Sequence, residues 1–218
     1  MAEQIHPAVQ VADEKVDARP LTDQLGSADE LTTLSPTACS HQLTKIHSLP
    51  ALRTFLRSYT HEVLAPHEFR HMFTAYTCAN QNHTRELLAL DLQIVEESAL
   101  KDFQLASRHV GKRQLNRMRA LKDLRTLQRY RDAVNEGKAY GWHTLVYGLV
   151  LSTYSLPLRQ GLLHYGRQTL GGFIQSAARS LDLGHEDCLT LQLELNAELL
   201  PFIEKTLGAN GHMLRVLA

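Results

Sequence analysis

The sequence predicts an all-α fold, a single globular helical domain of about eight to ten helices at typical helix lengths. Three observations carry this. From Ser48 to Leu207 apolar residues return at intervals of three and four, the period of a helix face. Nowhere do Val, Ile, Thr and aromatic residues run together between turn signals, as strands require. Helix starts and stops are written as Ser48-Leu49-Pro50, the Gly137–Gly141 interruption, Pro157 and Gly208. Residues 1–47 lack sustained periodicity and read as a mobile acidic leader, 48–207 as the helical domain and 208–218 as a short C-terminal tail.

Each element has its own warrant. Leu52, Phe55, Leu56, Tyr59 and Val63 line one face of a helix with Ser48 as N-cap and Pro50 in its first turn. Pro66 then opens a second helix, whose apolar stripe is Phe69, Met72, Phe73 and Tyr76. A third follows from Thr84 with Leu87, Leu88, Asp91, Leu92 and Val95 on its pattern. Residues 101–134 are rich in helix formers, with Phe103, Ala106 and Val110 on one face. Leu115, Met118, Leu121, Leu124 and Leu127 then drift off a single face, so a break is expected. After Gly141, Trp142, Leu145, Val146, Leu149 and Val150 give an amphipathic helix ending before Pro157. Leu158 to Leu181 carries Gly161, Gly166, Gly171, Gly172, Ala177 and Ala178, small residues that allow backbones to approach closely. Leu189, Leu191, Leu193 and Leu195 alternate like a strand, yet Leu, Gln and Glu are helix formers. The pattern runs on through Leu199, Leu200, Ile203 and Leu207 to Gly208, so this stretch reads as helix.

The chain has 218 residues, 23 Lys+Arg against 23 Asp+Glu, and 44% hydrophobic residues. That is the composition of a globular protein and excludes a uniformly basic polyanion binder. Three separated cysteines, Cys39, Cys78 and Cys188, make neither a disulfide framework nor a metal motif. There is no apolar run of membrane-spanning length, no secretory plan at the start and no Arg-rich presequence, so a cytoplasmic location is expected. The zero net charge is a sum of unlike parts. Residues 101–131 hold ten Lys/Arg against Asp102 and Asp123, whereas residues 182–204 hold six acids and no Lys or Arg.

His67-Glu68-Phe69-Arg70-His71 is a literal HExxH, in which two imidazoles one turn apart bind zinc and the glutamate activates water. On a helical wheel both histidines lie opposite the Phe69/Met72 stripe, which is also what a solvated face looks like. Pro66 leaves His67 without an orienting turn, no metzincin continuation follows, and Glu86, Glu96 and Glu97 all compete as third ligand. A wet face is therefore preferred to a metal site, and a metal site to a zinc-dependent hydrolase. No P-loop, GxSxG or Cys/His pairing offers other chemistry. The basic 101–131 segment is the basis for an alternative nucleic-acid-binding helix, but Phe103 and Tyr130 are its only aromatics.

Several segments match a known family in order. They are Ala106-Ser107-Arg108-His109-Val110-Gly111, then Trp142-His143-Thr144-Leu145-Val146-Tyr147-Gly148, then Gly171 through Ala177-Ala178-Arg179 to Leu183-Gly184, then Pro201-Phe202-Ile203-Glu204. The span from Leu52 to Leu207 resembles the urease accessory protein F family, UreF. The N-terminal motif is reduced to Pro36 and Ser40-His41-Gln42-Leu43-Thr44, and the tail to Gly211 through Ala218. The resemblance implies a cytoplasmic, non-catalytic homodimer that bridges a UreD/UreH-like protein to the GTPase UreG and governs nickel delivery into apo-urease. It implies no catalytic residue, no tightly bound cofactor, no nucleic acid and no membrane.

By that resemblance Arg179 faces the GTPase, with an internal pair to an acid at 182–187 as the alternative. Leu183 and Gly184 lie beside it, and Arg215 stands for the tail arginine that grips the UreD-type partner. Ala106, Ser107, Gly111 and Gly148 read as close helix packing, and His143 as an interior cap or bridge. Gly171, Gly172 and Ala177 serve helix approach within the subunit or across a two-fold interface. His67 and His71, echoed by His41 and His47, are the weak candidates for handling nickel.

Overall fold

A computed structural model describes residues 46–118 and 125–216, with side chains as far as Ala209. Most of the leader, Leu121, Leu124 and the Arg215 side chain lie outside the described residues. Within them every regular element is helical.

Helix α1 (Leu49–Tyr59) starts as its sequence demands: Ser48 Oγ accepts the Ala51 N–H at 3.3 Å and Pro50 sits in the first turn. It does not end at Pro66. The chain continues through a π-helical segment (Thr60–Glu68) directly into α2 (Phe69–Asn80), making one rod. Proline in an α-helix lacks the N–H and pushes its ring against the carbonyl four residues back. The wider π turn, closed by Phe69 N–H to Leu64 O, accommodates Pro66 within the rod, so it does not open a new helix as expected.

Helix α3 (Thr84–Gln93) is followed by two 3₁₀ turns, Ile94–Glu96 and Ser98–Phe103, and by α4 (Gln104–Arg117). Helix α5 (Arg125–Asn135) lies beyond the expected break. The Gly137–Gly141 interruption is a loop in which both end glycines have positive φ, +74° and +76°. It is latched by Asp91, a fully buried acid that accepts the Tyr140 N–H and the Tyr130 hydroxyl at 2.5 Å each and the Gly141 N–H at 3.0 Å.

Helix α6 (His143–Thr153) is not amphipathic as its spacing predicts. Every residue from His143 to Leu151 is buried, because α2 packs on one side and α4 on another. Close packing is enforced at two glycines. A Cβ at Gly148 would lie 2.4 Å from Met72 O, and one at Gly111 only 2.0 Å from Gly141 O.

Helices α7 (Leu158–Leu181) and α8 (His185–Val216) form an antiparallel hairpin. Asp182 closes α7 in the left-handed region at φ 50°, and the N–H groups of Asp182 and Leu183 both reach Ala178 O. The alternating leucines are helical, as expected: Leu191, Leu195, Leu199 and Ile203 are buried. Gly208 does not stop α8, whose backbone continues to Val216. A glycine with helical neighbours lowers helix stability without ending it.

Candidate functional site

The HExxH residues lie at the junction of the π segment and α2. His67 and His71 keep the one-turn spacing of the motif, with ring centroids 6.3 Å apart. The pair does not form a wet face. His71 is wholly buried and His67 keeps 29% of its side-chain surface, because the 3₁₀ connector between α3 and α4 packs over the π segment. From that connector Glu97 reaches both rings: one carboxylate oxygen is 2.5 Å from His67 Nδ1 and the other 2.9 Å from His71 Nε2. Burial alone would raise the Glu97 carboxyl; the hydrogen bonds and charge of His71, then of His67, hold it below its ordinary range.

Glu68 plays no part in this cluster. It is 4% exposed and accepts the Tyr59 hydroxyl at 2.9 Å, and burial pushes its carboxyl up to about 7. Held in the core, it is not placed to activate a water beside the two histidines, and the hydrolase alternative loses its general base.

The α7–α8 corner is the second feature. Arg179 is exposed in the last turn of α7 and forms no ion pair with Asp182, Glu186 or Asp187 among the described residues. Those three acids are exposed as well, Leu183 is half-buried and Gly184 is exposed. Farther along, α8 uses its acids internally. Glu194 pairs with Arg53 and Arg57 at 3.0 and 2.7 Å, Glu198 with Arg57 at 3.0 Å, and Glu204 with Arg159 at 2.5 Å. The acidic excess of residues 182–204 is thus neutralised along the hairpin and left open at its corner.

The small residues are spent on internal packing. Ala106, Ser107, Gly111, Gly148, Gly171, Gly172 and Ala177 are all buried, and a Cβ at Gly171 would meet the Gln192 side chain at 3.2 Å. Ser107 Oγ accepts the His143 N–H at 3.0 Å, fixing the start of α6. The His143 ring is buried against Tyr147 and Tyr165 with neither nitrogen hydrogen-bonded, and burial pushes its pKa down to about 4. In the basic segment Arg108 stacks over Tyr140 and Trp142, 3.9 and 5.0 Å from the ring centroids, so it does not belong to an outward phosphate-tracking stripe.

The sequence left Glu97 as one of three possible partners for the histidines and missed the acceptor role of Asp91. An acid on an otherwise apolar stripe, Leu87-Leu88-Asp91, was its one signal. The Tyr59–Glu68 contact depends on the π turn and had no counterpart in the spacing.

Fold and geometry together define an all-helical protein with exposed charges at a hairpin corner and a histidine pair that lacks the hydrolase glutamate. No helix among the described residues is long and apolar enough to cross a membrane. The chain belongs to the UreF family, whose sequence model matches residues 46–196. That family comprises non-catalytic accessory proteins of urease maturation, associated with nickel delivery to urease. A comparison with curated proteins finds no match.

Proposed function

We propose that this chain is a cytoplasmic, non-catalytic scaffold that bridges a UreD/UreH-like protein to the GTPase UreG and regulates GTP-dependent nickel delivery into apo-urease. The observation that carries this reading is the contrast along the α7–α8 hairpin. Arg53, Arg57 and Arg159 are paired with acids of α8, whereas Arg179, like Arg167, is exposed and forms no ion pair among the described residues, and Arg179 alone stands at the corner that carries Asp182, Glu186 and Asp187. A guanidinium held in that way suits a charge-assisted bond to a carboxylate or carbonyl of a partner. Leu183 and Gly184 extend the same corner toward the GTPase, and Arg215 belongs to the UreD-facing end.

The scaffold works as a homodimer. Leu189, Leu193 and Leu200, 46%, 70% and 36% exposed, form an outward row on α8 that supports a self-complementary interface. Nickel is cargo of the assembled complex in this reading. The test is a pull-down with the tagged chain. Recovery of both the UreD-like protein and UreG, with UreG selectively lost in Arg179→Ala, is expected; recovery of neither refutes the reading.

A further inference from the structure

The cluster of His67, His71 and Glu97 is the one group among the described residues whose His, Cys, Asp and Glu donor atoms converge as a metal site requires, all within 4.8 Å of one another. Two ligands come from one helical rod and the third from a separate connector, so the site exists only in the folded chain. Neither Lys nor Arg competes for Glu97 among the described residues. The carboxylate spans both rings through two separate contacts, one on each oxygen, and a cation would replace the hydrogen in each.

We propose that His67 Nδ1, His71 Nε2 and a Glu97 oxygen bind one divalent cation of the zinc or nickel kind. Two imidazoles and a carboxylate select a borderline cation. Calcium and magnesium want oxygen alone, and copper(I) wants sulfur. Three protein ligands leave a coordination position for water, and the 29% and 18% exposure of His67 and Glu97 opens that side to solvent. His71 is locked in the core, but its Nδ1 has no hydrogen-bond partner. Ligating histidines are usually braced through that second nitrogen, and lack of the brace weakens a site by roughly 10–100-fold. The cation is therefore exchangeable. Because Glu68 is engaged with Tyr59, bound metal has no adjacent base and ties the rod to the connector without hydrolysing anything.

The inference stands apart from the scaffold reading, since the full-length chain alone tests it. Chain stripped by a chelator is dialysed against zinc or nickel, and cobalt is used as a visible probe of geometry. About one ion per chain is expected, with tetrahedral cobalt bands and a higher unfolding temperature. His67→Ala and Glu97→Gln, both at partly exposed positions that leave the core intact, should each weaken retention roughly 100-fold or more, exceeding the loss of an outer partner. The exposed His109→Ala should retain metal like the parent. Absence of retention, or retention equal in all variants, overturns the proposal.

Discussion

Lowering the pH should destabilise this protein through His143, and the size of the effect follows from its burial. The ring sits among Tyr147 and Tyr165 with both nitrogens unpartnered, and its pKa falls from 6.5 to about 4. Below pH 6.5 the unfolded chain takes up a proton that the native chain refuses. Stability contributed by the neutral ring is therefore complete above that pH and lost as the pH falls to about 4. The interval converts to about 3 kcal/mol in full, and to about 2 kcal/mol by pH ~5. Replacing the ring by an apolar side chain, His143→Leu, removes the titration and leaves no polar group stranded. Urea unfolding of both proteins at pH ~7.5 and pH ~5 isolates the effect, since every other group titrates alike in the two and any packing offset cancels. The parent should lose about 2 kcal/mol more than the variant between the two pH values. Parallel losses would show that His143 is hydrated or paired in solution, and the reasoning from burial would fail.

Other substitutions separate packing from propensity. Gly111→Ala places a Cβ 2.0 Å from Gly141 O and should cost several kcal/mol in chemical denaturation, on the order of the larger overpacking penalties. Gly208→Ala, with nothing within 4 Å, should stabilise by roughly 0.5–1 kcal/mol. Asp91→Ala strands the Tyr130 hydroxyl and the Tyr140 and Gly141 N–H groups, so a loss of about 3 kcal/mol or more, with faster hydrogen exchange in the 137–142 loop, is expected. Arg57→Ala breaks contacts to Glu194 and Glu198 that are a third to a half exposed; its cost should be about 1 kcal/mol and shrink in high salt.

The helices were legible where an apolar face met a solvated one: α1, α3, α7 and α8 follow from spacing, capping and composition. Pro66 misled because proline is common at helix starts, and a π turn that absorbs it leaves no periodic trace. Helix α6 was legible in type but not in place. The absence of any charged residue from Trp142 to Leu156 marked it as central more clearly than its spacing did. At the site, the one-turn spacing announced His67 and His71, but their environment is set by a connector thirty residues away in sequence for His67. Local sequence cannot say which of several glutamates a connector will deliver. The ion pairs that neutralise α8 are equally nonlocal, joining residues 141 positions apart between Arg53 and Glu194. The acidic segment found by charge counting is a seam of ion pairs plus an exposed corner.

The role proposed for this UreF-family chain is to bridge two partners without doing chemistry itself. Its most direct test is reconstitution of urease activation from purified apo-urease, UreD-like protein, UreG, GTP and nickel. Urease activity should require the chain, and Arg179→Ala should slow activation while leaving helicity unchanged by circular dichroism. Activation that proceeds equally well without the chain would contradict the account.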